Sequence, residues 1–85
     1  MPISLTFIAK PGCHLCDDAR EVVAAVLAEL PQVEVEVTEL SILDDPALLD
    51  EYAEEIPVVK IDGAVHTIWR VEPARLRTAL LEAAP

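Results

Sequence analysis

Basic side chains are scarce in this chain. Six lysines and arginines stand against sixteen aspartates and glutamates, so the 85 residues carry a formal net charge of −10. Such a chain repels phosphate backbones and anionic membrane surfaces, which excludes nucleic-acid and membrane binding as readings of its function. The charge itself reads as a solvated surface. Cysteine is scarcer still: Cys13 and Cys16 allow one internal disulfide at most, and their spacing closes too small a loop to brace a fold. No apolar run is long enough to span a membrane, and the opening Met-Pro-Ile-Ser-Leu lacks the basic n-region of a secretory signal. A cytoplasmic location is the resulting expectation. Linkers, repeats and low-complexity segments are missing too, and the length suits one domain, residues 1–85. A monomer is expected.

What is present is apolar material in ordered blocks, 53% of the chain, enough for a core without staples. Residues 3–9, Ile-Ser-Leu-Thr-Phe-Ile-Ala, read as a central strand covered on both faces. Lys10-Pro11-Gly12 breaks it. Leu15, Ala19, Val22, Val23, Val26, Leu27 and Leu30 then recur at helical spacing, which predicts a helix over 14–30, stopped by Pro31. Strict alternation over 33–37 predicts a half-buried strand, followed by a polar connection over 41–45. Asp45 as N-cap and Pro46 in the first turn open a short helix to about Tyr52, with Leu48, Leu49 and Tyr52 inward. Residues 58–61 and 64–70 read as two strands joined by the hairpin turn Asp62-Gly63. Pro73 starts a last helix over 73–82, with Leu76, Ala79, Leu80 and Ala83 inward. The expected fold is therefore α/β, in the order β-α-β-α-β-β-α, with four strands and three helices.

The chemistry-bearing stretch is Lys10-Pro11-Gly12-Cys13-His14-Leu15-Cys16. It sets a C-x-x-C pair where a strand ends and a helix begins, with Cys13 near the N-cap and Cys16 in the first turn. The open N–H groups and partial positive charge of a helix N-terminus stabilise a thiolate. A thiolate attacks disulfides, and a second thiol three residues on can resolve the mixed disulfide that forms. Asp17 and Asp18 read as helix-start carboxylates rather than a catalytic pair, and His66 reads as structural or solvent-facing. Trp69 reads as a core residue, with a substrate platform as the alternative. Arg70 reads as an exposed arginine, with a cation for an anionic substrate as the alternative. His14 directly follows Cys13 and reads as an exposed first-turn residue, with an imidazole that tunes the thiolate as the alternative.

The element order and two segments resemble the glutaredoxin branch of the thioredoxin superfamily. Lys10 to Cys16 resembles its active-site segment, in the Cys-His-Leu-Cys form found in small bacterial glutaredoxin-like proteins. Ile56-Pro57-Val58-Val59 resembles its cis-proline segment. The resemblance implies a mixed four-stranded sheet and a thiol–disulfide oxidoreductase without a resident cofactor or metal. It implies Cys13 as nucleophile and Cys16 as resolving thiol, with Lys10, His14, Ile56 and Pro57 at the substrate. It also implies a protein or small-molecule disulfide as partner and a thiol reductant system as electron source. Glutathione is the family's common co-substrate, and Lys10 matches the lysine that meets its glycyl carboxylate. The glycine pair that holds its other end has no counterpart in residues 68–73, Ile-Trp-Arg-Val-Glu-Pro. Two other functions use the same residues: a soft-metal or iron–sulfur binding module built on the two thiolates, and a redox-inactive adaptor or sensor.

Overall fold

In the computed structural model, which describes residues 2–85, the first strand lies inside the sheet. β1 (Ile3–Ala9) pairs in parallel with β2 (Val35–Ser41) and antiparallel with β3 (Val58–Ile61). β4 (Ala64–Ile68) pairs with β3, giving the order β2-β1-β3-β4. The helices are α1 (His14–Glu29), α2 (Pro46–Tyr52) and α3 (Pro73–Ala83), so the chain runs β-α-β-α-β-β-α as expected. A helix joins the two parallel strands, because such a pair needs a long crossover.

The core gathers Leu5 and Ile8 of β1, Val58 and Val59 of β3, Val26 of α1, and Leu76 and Leu80 of α3, all fully buried. α1 and α3 pack against each other. In β1, Ile3, Leu5, Phe7 and Ala9 are buried on one face, whereas the other face has exposed Ser4, half-buried Thr6 and buried Ile8. Cover on both faces is therefore complete only at the end that leads into Lys10. The hairpin turn has both residues in the left-handed region, Asp62 at φ 50° and Gly63 at φ 86°, as a two-residue turn between twisted strands requires. It is tied to β1 by the Asp62 N–H donating to the Ser4 carbonyl (2.8 Å) and the Ser4 N–H donating to Asp62 Oδ1 (3.0 Å). α2 starts where expected, with Asp45 Oδ1 accepting from the Ala47 N–H at 2.9 Å. Among the described residues, no helix is long and apolar enough to cross a membrane.

Several boundaries and faces differ from the sequence reading. β2 covers Val35–Ser41, not 33–37, because backbone pairing along all of β1, from Ile3↔Val35 to Ala9↔Ser41, sets its extent. Val33 instead closes the turn after α1, its N–H bonded to the Leu30 carbonyl at 3.0 Å. The expected half-buried alternation is also lost: β2 is an edge strand, with Val37 48% and Leu40 37% exposed. Ser41 therefore ends a strand rather than opening a polar connection, and Ile42 beyond it is buried. β4 stops at Ile68, before Arg70, because the backbone turns left-handed at Trp69 (φ 67°). On α1 the buried line is Cys16, Ala19, Val23, Val26 and Leu30, so Leu15, one residue off that spacing, is 44% exposed. Leu49 of α2 is 42% exposed for the same reason, because the inward line runs from Leu48 to Tyr52.

Candidate dithiol site

β1 delivers the chain to the C-x-x-C segment, and Gly12 makes the bend. Its φ of 74° is one that a side chain would strain. Cys13 follows in extended conformation (φ −99°, ψ 115°) as the N-cap of α1. Its sulfur accepts a hydrogen bond from the Cys16 N–H at 3.3 Å, and its carbonyl accepts from the Asp17 N–H at 3.0 Å. Both cysteines are free thiols, Cys13 half-buried and Cys16 with no exposed surface. Burial pushes the Cys16 thiol up to about 11. Its interaction with Cys13 pushes the same way, whereas a backbone hydrogen bond at Lys10 and the charge of Arg20 oppose it. The pair is thus unequal: one reachable sulfur with an N–H aimed at it, and one protonated thiol behind it.

The β1–β3 ladder brings the second segment to the same end of the sheet. Ile8 pairs with Val58, and the next residues outward are Ala9, which leads to the motif, and Pro57. The Ile56–Pro57 bond is cis, as the resemblance implies. Ile56 and Pro57 are both buried. Lys10 and His14 are exposed on the motif side. Arg20 braces the motif's helix from behind, donating twice to Glu39 of β2 at 2.9 Å and once to Asp17 at 2.8 Å, with its guanidinium 5.4 Å from the centre of the Phe7 ring. Among the described residues, no group of three or more His, Cys, Asp or Glu side chains is gathered as a metal ion requires. His66 is half-buried on β4, away from the motif, beside Arg75 and Glu82 of α3. Burial, aided by the charge of Arg75, lowers its pKa.

The family description "Glutaredoxin-like domain (DUF836)" matches residues 4–81. The chain belongs to this glutaredoxin-like family. An uncharacterized protein of Mycobacterium tuberculosis is 31% identical over 72 residues, covering 82% of this chain and 74% of that one. A glutaredoxin-like protein of Dictyostelium discoideum is 27% identical over 77 residues, covering 87% and 71%. Among solved structures, that of protein XcR50 from X. campestris superposes with a TM-score of 0.74 at 35% identity, covering 95% of this chain and 99% of that one. Thioredoxin from Fasciola hepatica superposes with a TM-score of 0.65 at 16% identity, covering 95% and 80%, a likeness of fold alone.

One residue of this glutaredoxin-like protein departs from its sequence reading. Trp69 is not in the core: its side chain is 54% exposed. Its backbone N–H donates to the Pro57 carbonyl (2.9 Å) and the Glu55 carbonyl (3.3 Å), and its indole Nε1–H donates to the Glu54 carbonyl (2.9 Å). Trp69 thus clasps the cis-proline segment while holding a left-handed backbone. A bulky residue at positive φ is a rare, strained conformation, and such strain collects at functional sites. No periodicity signals it, because Trp69 falls between a strand and a helix.

Proposed function

We propose that this glutaredoxin-like protein is a thiol–disulfide oxidoreductase, with Cys13 as nucleophile and Cys16 as resolving thiol. The observation that carries this reading is the inequality of the two sulfurs: Cys13 half-buried at the N-cap of α1 with an N–H on its sulfur, and Cys16 fully buried behind it. The Cys13 thiolate attacks one sulfur of a substrate disulfide, forming a Cys13–substrate S–S bond and expelling the other sulfur as a thiolate, which takes a proton. Cys16 then gives up its proton and attacks Cys13 Sγ. The mixed disulfide breaks, the Cys13–Cys16 disulfide forms, and the second substrate sulfur leaves as a thiol. Two electrons pass to the substrate, and an external dithiol or two monothiols return the protein to its reduced form.

In this reading Pro57 and Ile56 shape the backbone that the substrate chain lies against, and Lys10 and His14 line the exposed side of the same entrance. No resident cofactor takes part. The partners are a polypeptide or small-molecule disulfide and a thiol reductant. The compartment is the reducing cytoplasm, where such a dithiol is kept ready. The test is a trap. Cys16→Ser accumulates a stable mixed disulfide when mixed with a model disulfide, whereas Cys13→Ser, left with the buried thiol, accumulates none. Equal trapping by the two variants, read by mass spectrometry of the intact protein, overturns the assignment.

A further inference from the structure

Bordered by Leu15 of the C-x-x-C segment, a groove of about 260 Å³ lies between α1 and the segment after β4. Leu15, Ala19 and Val22 form one wall, and Trp69 and Val71 the other. Asp18 and Arg70, both exposed, also line it. Among the exposed large apolar side chains of the described residues, Leu15 and Trp69 share this groove. Exposed apolar residues scattered singly need no explanation, but two converging on a recess beside a reactive group point to a ligand. The walls are fixed. Trp69 is held by three hydrogen bonds to carbonyls of residues 54–57 in a strained backbone conformation, and Ala19 and Val71 are buried. The volume falls just below the roughly 300–1,000 Å³ of pockets that take whole small-molecule ligands, so it suits a single bulky side chain.

We infer that this groove is the specificity subsite for a polypeptide substrate, taking a large apolar side chain close in sequence to the attacked cysteine. A carboxylate beyond that side chain is received by Arg70. The inference rests on the oxidoreductase reading and names the substrate class of that site. Leu15 joins the two sites, because it lies between the thiols in sequence and lines the groove, so a chain bonded through sulfur to Cys13 reaches Trp69 past it. The charge argues for the carboxylate. Arg70 is the basic side chain that lines the groove, and, like Lys10, Lys60 and Arg75 but unlike Arg20 and Arg77, it has no carboxylate within ion-pair distance among the described residues. Asp18 supplies the opposite sign on the other wall and disfavours a carboxylate set on the α1 side. A second copy of this chain is a poor occupant, because two molecules of net charge −10 repel.

The chain's single tryptophan is Trp69, so its emission reports on the groove alone. The experiment measures the rate at which Cys16→Ser forms mixed disulfides with a panel of activated cysteine peptides. Phenylalanine or serine is stepped through the two positions on each side of the cysteine, with glutamate or lysine beyond. At the placement that reaches the groove, phenylalanine is preferred over serine by about tenfold, and the adduct shifts the indole emission. Trp69→Ala in the same background brings that ratio close to one, and Arg70→Glu reverses the glutamate-over-lysine preference. Using ratios cancels any general loss of reactivity. A phenylalanine-to-serine ratio near one at every placement, an unshifted emission, or faster trapping of glutathione disulfide than of any peptide overturns the inference while leaving the oxidoreductase reading in place. If no disulfide reacts at Cys13, that reading fails by itself. The groove is then decided by nuclear magnetic resonance titration with the same phenylalanine peptide carrying serine for cysteine. A moving indole N–H signal supports the subsite, and a stationary one overturns it.

Discussion

At Trp69 two requirements meet that no common residue satisfies at once. The backbone there is left-handed, which suits glycine, and the side chain must donate to the Glu54 carbonyl, which glycine cannot do. The left-handed conformation costs a residue with a Cβ roughly 1–2 kcal/mol. Glycine avoids that cost but loses about 0.4–1 kcal/mol of stability by loosening the unfolded chain. Both Trp69→Gly and Trp69→Ala lose the indole hydrogen bond, so the remaining difference makes Trp69→Gly more stable than Trp69→Ala by about 0.5–1 kcal/mol. Urea denaturation of the two variants checks this, and the usual advantage of alanine over glycine should be reversed. Cys16 gives a second prediction at this scale. Its folded-state value of about 11 lies above its ordinary value of 9.0, so the folded protein keeps a proton that the unfolded chain gives up. The stability associated with this is present below pH 9.0 and is lost as pH rises towards about 11. Cys16→Ala removes that dependence. The difference in stability between the original protein and Cys16→Ala should therefore narrow over this window, measured by denaturant melts in reducing buffer at several pH values.

At the scale of elements, α3 divides its leucines sharply between core and solvent. On α3, Leu76 is fully buried and Leu81 is 49% exposed. Leu76→Ala should cost about 2–5 kcal/mol, as a cavity in a packed core does. Leu81→Ala should stay within about 0.5 kcal/mol, and thermal melts distinguish the two. Helical spacing shows this division in advance only when the buried line is correctly placed, and α1 illustrates the limit. Its apolar positions, including Leu15 and Val22, form a stripe broad enough to admit more than one inward line. The line actually buried starts at Cys16, a residue whose chemistry masks its place in the core. The elements with local signals were legible: the Asp45–Pro46 start of α2, the Asp62–Gly63 turn, and β1 and β3 as apolar runs. Alternation over 33–37 misplaces β2, because the strand's extent comes from pairing with β1 over seven residues, a non-local cause. The candidate site divides the same way. Cys13, Cys16 and the cis Ile56–Pro57 bond sit in short contiguous motifs. The groove is assembled from α1 and residues 69–71, which are brought together only by the packing of the whole chain.

The whole molecule adds a field that no single residue reports. A net charge of −10 on 85 residues repels anionic reactants and attracts cationic ones before any contact is made. Near the dithiol, however, the exposed basic side chains Lys10 and Arg70 carry the opposite sign. The two effects differ in range, so salt separates them. Long-range repulsion fades once the screening length falls from about 30 Å at 0.01 M salt to about 8 Å at 0.15 M, whereas a carboxylate in direct contact with Arg70 is screened much less. In a Cys16→Ser background, the rate of mixed-disulfide formation with a dicationic disulfide such as cystamine should fall as salt is raised from 0.01 to 0.15 M. The rate with the dianionic glutathione disulfide should rise, and that with neutral hydroxyethyl disulfide should change least. Glutathione disulfide should nevertheless remain a poor reactant at the higher salt, because the bulky Trp69, fixed by its hydrogen bonds, narrows the groove after β4. Stopped-flow rates at the two ionic strengths measure all three. If glutathione disulfide overtakes cystamine once the field is screened, its weakness is electrostatic alone and the site after β4 accepts it. If it stays behind at both salt concentrations, the barrier is the shape of the groove, and Arg70→Glu should slow it further without changing the order of the other two.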